Sequence, residues 1–316
     1  MSKGLLFRID WRAFFFPILI VVSLLSQPSV ADGPQFKSVA IGNGVTLHYV
    51  EQGKGVPVIF VHGSLSDYGY WKQQVAPFAA RYRVIAYSRR YNAPNDNPPI
   101  DGYSAITDSD DLAALIETLH LGRVYLVGHS YGALTALFLA ARHPELLRAV
   151  VLAEPPAVSL LQHLSPPNTA KGQAMFADIQ KNMVEPMKLA FYEGNTDLGV
   201  GFFINYVFAK PDAWQKMSAD DKKDTLRNVE EWNVMLPSGT LFPEISPAAV
   251  KAIRVPTLIM SGGKSYPFLA LIDNELERSI PGSRNIVFAD SGHQMWFKHP
   301  DECRDLTEKF FAEHVR

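Results

Sequence analysis

Four places in the chain carry residue types that together could drive attack on a carbonyl carbon. In Gly128-His129-Ser130-Tyr131-Gly132, a serine is bracketed two residues either side by glycine. The stretch follows a β-branched run, Val124–Val127, and opens a small, apolar helix-like run, Tyr131–Arg142. Between strand and helix that spacing reads as a tight elbow: neither glycine has room for a Cβ, and the bend lifts the Ser130 hydroxyl to the top of a sheet. The helix starting at Tyr131 turns its amide end to the same place. Serine is a weak nucleophile at neutral pH and needs a base titrating near 7. Of nine histidines, His293 is the expected base, because the loop Asp290-Ser291-Gly292-His293 follows the last strand and can swing back over Ser130. His129, inside the elbow, and His299, before Pro300, read as surface residues. His62-Gly63-Ser64 closes an earlier strand. The backbone amides of Ser64 and Tyr131 are the expected pair of oxyanion donors, and His62 itself reads as a structural residue bonding its own loop. The fourth place is Glu154, a carboxylate at the end of the strand Ala149–Leu152.

Positioning these groups takes alternating strands and helices. Short β-branched or aromatic runs mark strands at Phe36–Ile41, Val45–Val50, Val56–Val61, Arg83–Tyr87, Val124–Val127, Ala149–Leu152, Thr257–Met260 and Asn285–Phe288. Several are continuously apolar, as when helices cover both faces of a sheet. Asn43-Gly44 marks a hairpin between the first two. In Asp110–Leu119, Leu112, Leu115, Ile116 and Leu119 fall on one helical stripe. From about 155 to 247 the strand signal stops. Helices are expected at Gly172–Lys181, Met187–Tyr192 and Ser218–Trp232, the last opened by a Ser218 cap with Asp220 and Asp221 in its first turn. Aromatics are dense here, among them Phe191, Phe202, Phe203, Tyr206, Trp214 and Trp232. An all-helical insertion in a β/α chain is most economically a lid over the carboxyl edge of the sheet.

The composition, 47% hydrophobic and 20% charged over 316 residues, belongs to a chain with a substantial core and excludes a disordered or fibrous one. The net charge of −2 gives no footprint for nucleic acid. A single cysteine, Cys303, excludes an internal disulfide and a cysteine-rich metal site. Residues 1–31 have the layout of a secretory signal: Lys3, Arg8 and Arg12, then the apolar run Ala13–Leu25, then Ser29 and Ala31 in the −3 and −1 places before Asp32. Cleavage after Ala31 and export to the periplasm or medium are expected, with no stable membrane insertion afterwards. The alternative is an uncleaved anchor, although the run falls short of the roughly 20 residues a span needs.

From residue 36 onward the chain resembles the α/β-hydrolase superfamily of serine hydrolases. The resemblance is carried by the His62-Gly63 loop, the elbow at 128–132, the strand at Arg148–Pro156 and the Ser291-Gly292-His293 loop. It implies a mostly parallel eight-stranded sheet with helices on both faces and a helical cap between strands 6 and 7. The core would comprise residues 32–156 and 248–316, and the cap 157–247. The acid is where this sequence departs from the commonest pattern. The Gly-x-x-Asp turn after the seventh strand reads Gly262-Gly263-Lys264-Ser265, and Ser265 cannot compensate an imidazolium by charge. Glu154, stiffened by Pro155 and Pro156, stands at the position that some members use instead, and the order Ser130, Glu154, His293 fits nucleophile, acid and base. The alternative is that Glu154 pairs locally while Asp273 or Asp290 serves.

The resemblance implies hydrolysis of a carboxylic ester or lactone through an acyl-enzyme, on a small molecule with an apolar portion, with no metal or organic cofactor. Cofactor-free peroxidation, acyl transfer and carbon–carbon hydrolysis share the scaffold, though carbon–carbon hydrolases generally keep the seventh-strand Asp. A ligand receptor on the same fold is the non-enzymatic alternative. Leu65, Trp71 and Trp296 are expected in the pocket wall. Arg89 and Arg90 are expected to pair internally rather than meet an anionic substrate. The oligomeric state is left open.

Overall fold

The computed structural model describes Met1 and residues 33–238 and 241–315. Apart from Met1, the signal segment expected over residues 1–31 lies outside the described residues. Eight strands form one sheet: β1 (Gln35–Gly42), β2 (Val45–Gln52), β3 (Pro57–Val61), β4 (Arg83–Tyr87), β5 (Val124–His129), β6 (Leu147–Ala153), β7 (Thr257–Gly262) and β8 (Arg284–Phe288). Their spatial order is β1-β2-β4-β3-β5-β6-β7-β8. The β1–β2 and β2–β4 pairs are antiparallel and the other pairs parallel.

The continuously apolar strands feed two separate cores, because successive side chains point to opposite faces. Ile59, Val61, Leu126, Val150 and Ile259 join one cluster; their neighbours Val58, Phe60, Val127, Val151 and Met260 join the other. The second cluster is closed by Val75 and Phe78 of α1 (Lys72–Ala79), by Trp296 of α12 (Met295–Lys298) and by Phe310 and Phe311 of α13 (Pro300–Ala312). Leu112, Leu115 and Ile116 of α2 (Ala105–Thr118), the inner face of α3 (Tyr131–Arg142) and Leu276 of α11 (Pro267–Ser279) cover the first. Helix α2 starts at Ala105, five residues before the expected Asp110, because Ser104 and Thr107 form a capping box at its amino end.

Between β6 and β7 the described residues are helical, with no strand among them: α4 (Thr169–Ile179), α5 (Glu185–Tyr192), α6 (Thr196–Val207), α7 (Ala213–Lys216), α8 (Ala219–Leu226), α9 (Glu230–Ser238) and α10 (Pro247–Ala252). A π-turn at Gln180–Val184 joins α4 to α5. The single helix expected over Ser218–Trp232 is two, α8 and α9, broken by turn residues 227–229. The Ser218 cap is present, its oxygen accepting from Asp221 N at 3.1 Å. The break has a tertiary cause. Buried Asn228 donates to Asp67 Oδ2 at 3.1 Å and accepts from Ala93 N at 2.8 Å, and Arg227 pairs with the same Asp67 oxygen at 2.5 Å. These bonds to the core override the local preference for continuing the helix.

Replacing Asn228 by Ala leaves the Ala93 amide without its acceptor. The expected cost is about 1–3 kcal/mol, read as a lower urea midpoint with an unchanged slope; an unchanged midpoint would remove Asn228 as the cause of the break.

Candidate active site

Ser130 stands between β5 and α3 with φ 54° and ψ −124°, a conformation that costs a non-glycine residue about 1–3 kcal/mol. The surroundings leave no alternative path. A Cβ at Gly128 would lie 2.5 Å from Gly132 O, and one at Gly132 would lie 2.4 Å from the carbonyl oxygens of Val61 and His62. The Ser130 amide is tied to the next strand through Ala153 O at 2.8 Å. Its side chain faces a cavity that His293, Ser64 and Tyr131 also line.

Glu154 follows β6 with φ 50° and is fully buried. Its Oε2 accepts from His293 Nδ1 at 2.5 Å, and its Oε1 accepts from Gly262 N, at the end of β7, at 2.7 Å. A carboxylate that receives Nδ1–H fixes the imidazole tautomer and leaves the Nε2 lone pair free to take a proton. The histidine loop is held from two further sides: Lys264 N bonds Ser291 O at 2.8 Å, and buried His129 donates Nε2–H to His293 O at 2.7 Å. His129 is therefore not the surface residue expected. Burial, and next the neighbouring His293, hold it well below the ordinary histidine value, so it sits there as a neutral donor.

The other carboxylates are elsewhere. Asp290 is exposed and pairs with His299 at 2.8 Å and Lys298 at 2.9 Å. Asp273 is buried against Ser261, whose hydroxyl lies 2.7 Å from Asp273 Oδ2 and 2.8 Å from Asn285 Oδ1. One hydroxyl proton cannot serve both oxygens, so the second donor is either the Asp273 carboxyl or the Asn285 amide. Burial, then the charge of Glu154, drive its carboxyl well above the ordinary range. Ser265, in the place of the usual acid, is half-buried, and its shielded Oγ has no partner among the described residues.

The amide of Tyr131 is the first of α3 and has no partner within the helix. Ser64 lines the same cavity, so the two expected oxyanion donors both border it. His62 bonds its own loop: Nδ1–H donates to Gly63 O at 2.8 Å, and Nε2 accepts from Arg89 N at 3.0 Å. Burial, and the Arg89 charge second, keep it neutral. Arg89 and Arg90 pair internally, with Asp108 at 2.8 Å and Asp111 at 2.5 Å.

Three expected wall residues are not in the wall. Trp71 and Trp296 meet edge to face at 5.1 Å inside the core on the far face of the sheet. The aromatic residues flanking the two loops in sequence pack behind them. Leu65 is buried in the main core and gives its amide to Glu231. The wall is instead Pro156, Met183 on the π-turn, Phe203 and Val207 one turn apart on α6, Leu241 and Phe242, and Phe268 and Leu269 at the start of α11. The pair at 203 and 207 is legible as an i, i+4 apolar stripe; the others sit at turns and helix starts, where periodicity carries no signal.

The comparisons agree with this frame. The model of the alpha/beta hydrolase family matches residues 58–306. The chain is 26% identical over 286 residues to a cis-3-alkyl-4-alkyloxetan-2-one decarboxylase of Shewanella oneidensis, covering 86% of each chain. It is 26% identical over 284 residues to a 2-hydroxy-6-oxo-6-(2'-aminophenyl)hexa-2,4-dienoic acid hydrolase of Metapseudomonas resinovorans, covering 86% of this chain and 89% of that one. Among solved structures, the enol-lactonase of Burkholderia xenovorans shares the fold at 20% identity and a TM-score of 0.60, covering 88% of this chain and all of the other.

Two outcomes test the site. Glu154→Gln is expected to lower kcat by about 10³–10⁴ through loss of the tautomer-fixing acceptor, with Ser265→Ala near wild type; steady-state ester hydrolysis checks both. Asp273 prefers its proton in the folded state, so its contribution is intact below the ordinary Asp range and is lost as pH rises through its elevated folded value. Asp273→Asn should therefore gain thermal stability over wild type progressively from pH 5 to pH 8, about 1 kcal/mol or more at the upper end. A difference in melting temperature that does not grow with pH would mean that Asp273 is ionised.

Proposed function

The chain belongs to the α/β-hydrolase family, and from that premise we propose that it is a serine hydrolase of short-chain carboxylic esters or lactones. His293 Nε2 takes the Ser130 proton as Oγ bonds to the carbonyl carbon; the carbonyl π pair moves to oxygen and is met by the amides of Ser64 and Tyr131. Collapse expels the alcohol, which takes its proton from His293 and leaves an acyl-Ser130. In a lactone that alcohol stays tethered to the acyl group. Water, deprotonated by the same His293, repeats the sequence and releases the acid. Glu154 orients the ring and compensates its charge in both halves.

The observation that carries this reading is the bond from Glu154 to His293 Nδ1 in a site where Ser130 and His293 border one cavity. The substrate class is argued from the wall. Besides Ser64, Ser130 and His293 it is apolar or aromatic, and its volume is about 20 Å³, room for about one water molecule. Such a site favours a short, uncharged acyl group. Among the described residues its lining offers no Lys or Arg to a carboxylate, which sets it against the carbon–carbon reading drawn from the relative named for a dienoic acid.

The test is hydrolysis of a p-nitrophenyl ester series with active-site titration by a fluorophosphonate. Many turnovers per labelled site on the acetate, and no labelling in Ser130→Ala, are expected. Opening the wall with Phe203→Ala should raise kcat/KM for the hexanoate about tenfold relative to the acetate. A stoichiometric burst without turnover would favour a receptor instead.

A further inference from the structure

The loop carrying Ser64 is gripped by a residue of the cap. Glu231, in the first turn of α9, is fully buried, and both its oxygens are engaged. Oε1 accepts from Leu65 N, and Oε2 accepts from Arg89 Nη2. The same Arg89 nitrogen donates to Gly63 O at 3.1 Å, while Nη1 is anchored on Asp108 at 2.8 Å. The guanidinium stands over the ring of Tyr131, 5.0 Å from its centroid. One carboxylate from the cap thus fixes the residue after Ser64 directly and the residue before it through Arg89. Leu65 needs such a hold, since its φ of 54° is a left-handed conformation that a leucine keeps only when its surroundings over-determine it. Burying this charge is costly unless each oxygen is matched; besides the Asn92 side chain, its partners Leu65 N and Arg89 both lead to the loop beside Ser130.

We propose that Glu231 is a positioning residue: by holding Leu65 N and, through Arg89, Gly63 O, it aims the Ser64 amide at the developing oxyanion, so that the hole is complete only when the cap is docked. This rests on the serine-hydrolase reading above. A side chain that merely tied cap to core could attach anywhere on the rim; Glu231 attaches to both neighbours of one oxyanion donor. Asp178 provides the contrast. It joins Tyr206 of the cap at 2.6 Å to Tyr266 of the core at 3.3 Å and does not touch the loop.

The experiment compares wild type, Glu231→Gln, Glu231→Ala and Asp178→Asn in p-nitrophenyl acetate hydrolysis, in the rate of fluorophosphonate labelling and in hydrogen exchange of the peptide spanning residues 62–66. Glu231→Ala should lower kcat and labelling rate about 100-fold with KM within about threefold, and should speed exchange in that peptide. Glu231→Gln, which keeps an acceptor for Leu65 N but turns its NH2 toward the Arg89 donors, should recover only part of the rate, and Asp178→Asn should keep kcat. Should Glu231→Ala fail to fold, Glu231→Asp replaces it: the charge opposite Arg89 remains, but the carboxylate is one methylene short of Leu65 N. Rates within threefold of wild type, or unchanged exchange in the alanine (or aspartate) variant, would overturn the proposal. A wild type that neither hydrolyses nor labels would sink the hydrolase reading, while the exchange of residues 62–66 still decides whether Glu231 holds the loop.

Discussion

Three adjacent parallel strands, β3, β5 and β6, are each followed by a non-glycine residue forced to positive φ: Leu65, Ser130 and Glu154. Each of these backbones costs about 1–3 kcal/mol, and each is where the chain must turn sharply to keep a functional group at the carboxyl edge of the sheet. The strain is offset by bonds that run between neighbours. Ser130 N holds Ala153 O, Glu154 N holds Met260 O, and Glu154 Oε1 holds Gly262 N. The sheet's strand order therefore does more than support the site. It lets the bend after one strand be braced by the strand beside it, and the reach of Glu154 to His293 follows from that bracing.

Placing the acid at the end of β6, as proposed, rather than in the loop after β7 has consequences for its surroundings. The loop after β7 no longer needs a carboxylate. Ser265 is left half-buried with a hydroxyl that has no partner among the described residues, and the Gly262 amide is free to donate to Glu154. A second carboxylate nearby would repel the first in a medium of low dielectric constant, and Asp273 meets this by keeping its proton. The two carboxylates are equally buried and differ in their partners: Glu154 accepts from His293 Nδ1 and Gly262 N, whereas Asp273 has the Ser261 hydroxyl.

Most of the scaffold was legible before any coordinates. Continuous apolar runs such as Val58–Val61 and Val124–Val127 can only be strands covered on both faces, and the eight expected strands coincide with the eight present to within one or two residues at most ends. The elbow was legible because two glycines at fixed offsets leave few structures open. What the sequence hid depends on contacts between distant segments. Asn228 breaks a helix for the sake of Asp67 and Ala93; Glu231 reaches a loop 166 positions away. Trp71 and Trp296 lie near the site loops in sequence, but each sits on a short helix that packs into the core on the opposite face of the sheet. His129 looked like a surface histidine because nothing local shows that its ring stacks on Tyr70 and donates to the His293 carbonyl.

The account turns on which nitrogen of one imidazole carries the proton. Nitrogen-15 spectra of the histidine-labelled protein at neutral pH, with His293 assigned by substitution, report this directly. A proton on Nδ1 with Nε2 bare, held there by Glu154, is the result the account predicts. A neutral ring protonated on Nε2 would leave Ser130 without a base and Glu154 without a donor, and would contradict it.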